Sequence, residues 1–199
     1  MIVVGLTGGI GSGKTTIAKF FNDLEIPIYI ADEEAKRLMN RSKVIRRKLI
    51  ALFGDEAYKD HTLNRPFIAS KIFNNKVFLD KMNAIVHPKV AAHFKRWAKK
   101  QDAPYVIKEA AIIFEHDAQD NYDFIVTVTA DMDARIKRVV QRDDTNRDKV
   151  LAIMKHQMSD EEKVKRSHFV IVNNDLKDAK KQVLQTHKAI LKALEKIKN

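Results

Sequence analysis

The sequence predicts an α/β fold with a five-stranded parallel sheet, and three features indicate it. Short apolar runs with strand character alternate along the 199 residues with stretches of helical periodicity. A glycine-rich loop at residues 8–15 joins the first apolar run to a helix, in the pattern of a phosphate-binding loop. Helical character also fills residues 33–103, which is more chain than one crossover between parallel strands needs. We therefore expect a sheet core that carries an inserted helical subdomain.

The first strand and the loop after it form the most specific pattern in the chain. Residues 2–6 (Ile-Val-Val-Gly-Leu) are typical of a parallel strand that is buried on both faces. The loop at residues 8–15 (Gly-Gly-Ile-Gly-Ser-Gly-Lys-Thr) fits the spacing Gly, four residues, Gly, Lys, Ser or Thr. Its glycines permit positive φ and let backbone N–H groups approach phosphate oxygens. The helix that follows adds the partial positive charge of its N-terminus.

The last residues of this loop carry its chemistry. Lys14 is placed to reach the β and γ phosphates of a nucleotide, and Thr15 can offer its hydroxyl to Mg²⁺. A glycine-rich turn without a ligand is the alternative, but the Lys-Thr pair and the flanking strand and helix argue against it. We predict that this site binds a nucleoside triphosphate through Gly9, Gly11, Ser12, Gly13, Lys14, Thr15 and Thr16.

Composition limits the function classes. The chain has no cysteine, which excludes disulfides, thiolate metal sites and a cysteine nucleophile. Its net charge of +11 suits either a nucleic-acid surface or small polyanionic ligands. Aromatic residues make up only 8% and no RNA-binding or finger motif is present, so we expect no nucleic-acid partner. The apolar runs are far below the roughly 18 residues of a membrane span. We expect no membrane partner, no secretory leader and a cytoplasmic location.

An acidic residue follows the second predicted strand. Residues 28–31 complete a strand–helix–strand unit, and such units have parallel strands with a right-handed crossover. Asp32 comes directly afterwards, and open α/β sheets bind ligands outside the carboxyl ends of their strands. Asp32 is therefore a catalytic candidate on the edge that carries the loop. It also suits the N-cap of the next helix, and the two roles are compatible.

The helical block at residues 33–103 is a natural place for a second substrate. Its apolar residues recur at helical spacing and are most simply core. Gly54 is expected to end one helix and Pro88 to begin another. His87 stands before that proline, where a structural role is the ordinary interpretation. No spacing of the type His-Glu-x-x-His is present, so we predict no metal site built from protein ligands alone.

The third predicted strand begins at residues 104–107 and leads to two carboxylates. Phosphate-loop enzymes often place an acidic residue at the end of this strand, where it holds Mg²⁺ directly or through water. Glu109 and Glu115 are both candidates for that role, and a charged strand end without a ligand is the alternative.

An arginine row follows the fourth predicted strand, residues 123–128. Arg135, Arg138 and Arg142 share one face of the helix predicted at residues 131–142. Such a row is usually only solvated, but this one leads into two polar helices. We interpret residues 141–167 as a lid that closes arginines onto a transferring phosphoryl group. The fifth strand (168–172) and a long helix (176–197) complete the chain.

Taken together, these residues resemble the bacterial dephospho-coenzyme A kinases from end to end. Departures from the usual family residues occur at Ile30, Lys36, Ala111 and Asp175. The matching segments are Val4 to Thr15, Asp32, Ile85-Val86-His87-Pro88, Ala111-Ile112-Ile113-Phe114-Glu115, Arg138 with Gln141-Arg142-Asp143, Gln157, and Val172-Asn173-Asn174.

The resemblance implies a phosphate-loop kinase core of the nucleoside monophosphate kinase type. Its core would comprise residues 1–31, 104–140 and 168–199, with a substrate-binding subdomain at 32–103 and a lid at 141–167. It implies ATP and Mg²⁺ as cofactors and dephospho-coenzyme A as substrate, phosphorylated on the ribose 3′-hydroxyl.

The resemblance also implies roles for individual residues. Lys14, Asp32 and Arg142 are implied to be catalytic, with Asp32 as the base for the substrate hydroxyl and Arg142 also binding ATP. The implied metal contacts are Thr15 and Glu109. Those implied to bind substrate are Thr7, Asp32, His87 and Glu115.

Two alternatives remain at the level of sequence. A kinase of another nucleotide or nucleoside would share the sheet and the loop and differ in the helical block. A nucleotide-dependent switch or ATPase belongs to a different class. A GTPase of that class would show Asn-Lys-x-Asp for guanine, and this sequence contains no such stretch.

Overall fold

The computed structural model describes residues 1–73 and 75–198, with side chains up to residue 196. The helical spacing of the last helix predicts a buried Ile197, and this residue lies outside the described side chains. In chain order the elements are β1 (Ile2–Thr7), α1 (Lys14–Asn22), β2 (Ile28–Ile30), α2 (Ala31–Arg41), α3 (Lys43–Phe53), β3 (Tyr58–Lys59), β4 (Thr62–Leu63), α4 (Arg65–Ile72), α5 (Lys76–Ala98), β5 (Tyr105–Glu109), β6 (Phe124–Thr129), α6 (Met132–Asp143), α7 (Arg147–Lys155), α8 (Asp160–Arg166), β7 (Phe169–Val172) and α9 (Leu176–Lys198).

The chain divides into two compact units. We call residues 1–29 and 101–199 the core unit and residues 30–100 the helical unit. The segment predicted to be a lid, residues 141–167, belongs to the core unit in this division. The assignment of residues 32–103 to substrate binding remains a prediction.

The main sheet of the described chain has five strands in the order β2-β5-β1-β6-β7. Strand β1 pairs in parallel with β5 and β6, and β6 pairs in parallel with β7. This confirms the predicted fold class. Because β1 is the central strand, the phosphate loop leaves the carboxyl end of the middle of the sheet, where open α/β sheets bind ligands.

The core around this sheet explains why these segments fold as they do. The strands are β-branched and apolar, and β1 and β6 are largely buried. Helices α1 and α9 pack on one face, and side chains between β5 and β6, such as Ile113 and Tyr122, pack on the other. The buried cluster takes residues from four strands of the sheet, β1, β5, β6 and β7, and from helices α1 and α9. Its members include Val4, Leu6, Ile17, Phe21, Ile107, Val126, Val128, Ile171, Val183 and Ile190.

The helical unit differs from its prediction in two places. Strands β3 and β4 form a small antiparallel hairpin where the sequence predicted only helix. Tyr58 is buried there, and its hydroxyl donates to the carbonyl of Met39 at 2.7 Å. The hairpin was missed because each strand is two residues long, too short for an alternating pattern to be visible.

The second difference concerns Pro88, which was predicted to begin a helix. Helix α5 instead runs continuously through Pro88 to Ala98. A proline inside a helix costs one backbone hydrogen bond and crowds the carbonyl four residues earlier. Val86, Val90 and Phe94 are buried on both sides of the proline, and this packing offsets the cost. His87 consequently lies in the interior of a helix and not before one. Along the described residues, no helix is both long and apolar enough to cross a membrane.

Candidate active site

The loop between β1 and α1 has the backbone shape that its glycines predict. Gly11 and Gly13 have φ values of 78° and 91°, a region that favours glycine. A Cβ at Gly11 would lie 2.5 Å from the carbonyl oxygen of Arg135, and one at Gly13 would overlap the amide of Asn173. Gly9 is needed for a different reason, because a Cβ there would overlap the guanidinium of Arg135. Glycine is thus required both by the turn and by side chains packed behind it.

Lys14 reaches back over the loop. Its Nζ donates to the carbonyl of Gly8 at 2.9 Å and to that of Gly9 at 3.4 Å. The side chain is half-buried at the first position of α1. The charge is therefore held above the loop and beside the N-terminus of α1, the positive end of the helix dipole. A phosphate chain on the loop would meet both.

Three other predicted loop residues contribute in different ways. Ser12 is fully buried, and its N–H donates to the carbonyl of Gly9 at 3.2 Å, so this amide already has a partner in the loop. The N–H of Thr16 donates to the carbonyl of Gly13 at 3.0 Å, which leaves its hydroxyl for a ligand. Thr15 is exposed in the first turn of α1, so its hydroxyl is accessible.

Two arginines of α6 hold the loop from behind, and sequence reasoning had not assigned them this role. The Nε of Arg135 donates to the carbonyl of Ile10 at 2.9 Å. Arg138 donates to the carbonyl of Gly11 at 3.4 Å and to that of Asn173 at 2.8 Å. The three-residue spacing along the helix was the visible signal. It shows that the arginines share a face but not what the face packs against.

Asn173 also holds the loop, although the sequence placed this residue only at the end of a strand. It is buried directly after β7, and its side-chain amide donates to the carbonyl of Ser12 at 2.8 Å. The loop is thus connected to the last strand of the sheet. An asparagine pair at the end of a parallel strand was the available signal.

Arg142, predicted to close over the phosphates, is exposed at the end of α6. Its guanidinium forms two hydrogen bonds to the carboxylate of Asp143, at 2.7 and 2.8 Å. This pairing raises the pKa of Arg142, which is charged at neutral pH in any case. In this conformation the side chain does not contact the loop, so its role in catalysis stays a prediction that requires it to exchange partners.

Glu109 and Thr7 lie beside the loop. Glu109 is the last residue of β5, is buried, and pairs in register with Leu6 of β1. Thr7 ends β1, and its buried hydroxyl donates to the carbonyl of Ala111 at 3.2 Å. A carboxylate and the hydroxyl of Thr15 are hard oxygen donors of the kind that Mg²⁺ prefers.

Glu115, the other carboxylate candidate, has a charged partner already. Its Oε1 lies 2.8 Å from the Nζ of Lys163, whose side chain is fully buried, and accepts the N–H of Met158 at 3.1 Å. Burial raises the pKa of Glu115, but the hydrogen bonds and the lysine charge outweigh it, so the pKa is lowered overall. Glu115 thus anchors α8 through Lys163.

Two predicted residues belong to the helical unit. Asp32 is exposed in the first turn of α2. The N-cap of that helix is Ile30, so the expected capping role for Asp32 is wrong. The helix begins two residues earlier than the aspartate pattern suggested, which leaves the carboxylate without a capping bond. His87 is exposed on α5.

Taken together, the central strand, the loop with Lys14 and the parallel sheet define a phosphate-loop kinase. A family model described as dephospho-CoA kinase matches residues 2–178. The chain belongs to the dephospho-CoA kinase family and is an ATP-dependent kinase.

Similar proteins agree along nearly the whole chain. The dephospho-CoA kinase of Bacteroides fragilis is 37% identical over 92% of this chain and 90% of its own length. That of Salinibacter ruber is 38% identical over 89% of this chain and 93% of its own length. In each case the match includes both the core unit and the helical unit.

Two solved structures show the same fold. Protein TT1252 from Thermus thermophilus superposes with a TM-score of 0.87 at 30% identity, over 96% of this chain and 97% of that one. The dephospho-CoA kinase from Campylobacter jejuni superposes with a TM-score of 0.62 at 22% identity, over 94% and 96% of the two chains.

Proposed function

We propose that the protein transfers the γ-phosphoryl group of ATP to the ribose 3′-hydroxyl of dephospho-coenzyme A, the last step of coenzyme A synthesis. One observation carries the proposal: the Nζ of Lys14 lies over the glycine loop at the N-terminus of α1, in a chain of the dephospho-CoA kinase family. The loop supplies the phosphate donor site. Membership of the family supports dephospho-coenzyme A as the acceptor.

On the donor side, the chain contributes positive charge and fixed hydrogen-bond donors. Lys14 exchanges the carbonyls of Gly8 and Gly9 for phosphate oxygens, and it neutralises charge between the β and γ phosphates. The first N–H groups of α1 bind the same phosphates. Phosphoryl transfer needs little covalent chemistry from the protein, so this positioning is the main catalytic contribution.

Thr15 and Glu109 are the residues that would hold Mg²⁺. In the chain as described, no three His, Cys, Asp or Glu side chains cluster into a possible metal site. A metal held by one hydroxyl, one carboxylate, phosphate oxygens and water fits this donor set. When bound, the ion supplies positive charge at the phosphate oxygens.

On the acceptor side, Asp32 would accept the proton of the 3′-hydroxyl. An exposed carboxylate with no capping bond is free to orient a hydroxyl. We assign His87, Thr7 and Glu115 to substrate binding on the family resemblance. For Glu115 this requires that it keep or share its contact with Lys163. The helical unit would hold the adenine and pantetheine parts of the substrate.

Arg142 would complete the site from the predicted lid, residues 141–167. Arg142 and its present partner Asp143 are both exposed, so this exchange of partners involves little desolvation. Delivered to the γ phosphate, the guanidinium would bind oxygens bidentately and stabilise the transition state.

The test is ADP release with ATP, Mg²⁺ and dephospho-coenzyme A, compared with AMP, adenosine and pantothenate as acceptors. We expect turnover with dephospho-coenzyme A alone. Faster turnover with one of the other acceptors would keep the kinase site and overturn the acceptor assignment. ATP binding without turnover for any acceptor would favour a nucleotide-dependent switch.

A further inference from the structure

We propose that Arg135 is a positioning residue for the phosphate loop, and that with Asp160 it couples the loop to the helices of the predicted lid. The inference deepens the proposed function, because it concerns the ATP site of that reaction. The supporting contacts all lie within the core unit.

The guanidinium of Arg135 joins three segments. Its Nε donates to the carbonyl of Ile10 in the loop at 2.9 Å, and its Nη1 donates to Oδ2 of Asp160 in α8 at 2.7 Å. Its third nitrogen lies against Gly9, close enough that no side chain fits there. Arg135 is only 9% exposed, so these directional bonds form away from water.

The backbone N–H of Ile10 is also held by a side chain. The N–H of Ile10 donates to the side-chain oxygen of Gln157 at 2.8 Å. Both polar backbone groups of Ile10 are therefore fixed by side chains, one from α6 and one from the segment that connects α7 to α8. A loop residue held on both sides cannot rotate its peptide planes independently of these helices.

Asp160 is itself fixed on the sheet. Its Oδ2 accepts the hydroxyl of Thr129, the last residue of β6, at 2.6 Å, in addition to the bond from Arg135. The two side chains of the pair are only 10% and 17% exposed. The opposite charges of Arg135 and Asp160 cancel, so the pair fixes the position of the loop without adding net charge beside the phosphates.

This arrangement has a consequence for the reaction. The carbonyl of Ile10 immediately precedes the loop segment 11–15 that is predicted to bind the β and γ phosphates. A displacement of about 1 Å in a positioned group can cost about 10²-fold in rate. Because Gln157 and Asp160 belong to residues 141–167, a movement of that segment alters the contacts that hold the loop. Lid position and loop geometry are therefore linked.

The experiment compares four single variants of the full chain with the wild type. Arg135→Gln removes the guanidinium and its charge, and Arg135→Lys keeps a positive charge without the guanidinium. Asp160→Asn keeps the shape of the carboxylate side chain and removes its charge. Arg147→Gln is the matched control, because Arg147 of α7 forms an exposed ion pair with Asp133 of α6 at 3.1 Å, away from the loop contacts of Arg135. The readouts are kcat, the KM for each substrate, calorimetric affinity for a non-hydrolysable ATP analogue, and the thermal midpoint.

We expect Arg135→Gln to lower kcat/KM for ATP by about 10²-fold, with the KM for dephospho-coenzyme A unchanged. Arg135→Lys should recover part of the loss, since an ammonium cannot make both directional bonds at once. Asp160→Asn should lower kcat/KM for ATP by about tenfold and weaken binding of the ATP analogue. Arg147→Gln should match the wild type in both measurements.

A lower thermal midpoint with kcat/KM for ATP and analogue affinity within about twofold of wild type would reduce Arg135 to a structural role and overturn the proposal. If Arg135→Gln does not fold, Asp160→Asn decides by the same criterion. Failure of the wild type to use dephospho-coenzyme A would count against the proposed function alone. Analogue affinity would still test Arg135.

Discussion

The phosphate loop and the helical unit place their predicted functional groups in very different surroundings. In the loop, backbone carbonyls are held by Lys14, Arg135, Arg138 and Asn173, drawn from α1, α6 and the end of β7. In the helical unit, Asp32 and His87 are exposed on the surfaces of α2 and α5, and Asp32 does not cap its helix.

This difference corresponds to two tasks. In the proposed reaction the loop would bind the triphosphate, and a site that is formed before the ligand binds lowers the cost of binding. The acceptor of that reaction would be bound by exposed side chains that the substrate itself orders. The following predictions test that distinction.

Removal of the charge at the loop should have the largest effect. Lys14→Ala deletes the ammonium that lies over the loop, so we expect kcat/KM for ATP to fall by at least about 10³-fold, with weaker ATP binding. Steady-state kinetics and calorimetry with ATP would measure both. An active Lys14→Ala enzyme with normal ATP affinity would refute the site assignment.

The next largest effect concerns stability: a buried ion pair of the core unit should contribute much more than an exposed ion pair of the helical unit. Lys163→Met leaves Glu115 partly buried without its cation, and removal of one member of a buried pair costs about 3–5 kcal/mol in the free energy of unfolding. The matched change in the helical unit is Lys36→Met, which breaks the exposed pair with Glu33. That change should cost less than about 1 kcal/mol. Urea unfolding of both variants would measure the two losses in the free energy of unfolding. Equal losses would contradict the prediction.

The next effect concerns the exposed carboxylate of the helical unit. Asp32→Asn should lower kcat by about 10²-fold while the affinity for ATP stays near that of the wild type, since only the proton acceptor is lost. Glu33→Gln, one residue further along the same helical turn, is the control and should leave kcat unchanged. Equal kinetics for the two variants would remove Asp32 from the role of base.

The smallest expected effect is a change in acid stability. The pKa of Glu115 is lowered in the folded protein, so its carboxylate contributes stability that is complete above its usual pKa of 4.5 and is lost as the pH falls below it. Glu115→Gln should therefore show a shallower decline of the thermal midpoint between about pH 5 and about pH 3. The pKa of Glu33 is also lowered, by its bond to Lys36, but this group is exposed, and Glu33→Gln should change the slope less. Identical slopes for wild type and Glu115→Gln would contradict the prediction.

Local patterns predicted the sheet and the loop well, and they failed in the helical unit at two particular residues. The strands are apolar runs bounded by turns, and the glycine spacing of the loop is required by its backbone, so neighbours in sequence are sufficient to identify them. Pro88 was expected to begin a helix because proline favours that position, but burial of Val86 and Val90 keeps one helix continuous through it. Asp32 was expected to be an N-cap because aspartate favours that position, but the helix begins at Ala31.

The sequence by itself determined the fold class, the phosphate loop with Lys14 and Thr15, and the resemblance to dephospho-CoA kinases. Each of these depends on short stretches whose own residues are close together in the chain. Only the tertiary structure showed that Arg135 and Arg138 hold the loop while Arg142, on the same helix, pairs with Asp143. Helical spacing places the three arginines on one side, but the partners of Arg135, Arg138 and Arg142 lie 125, 35 and 1 residues away in the chain. A side chain's role depends on what folding brings against it, and that is decided by the packing of the whole sheet.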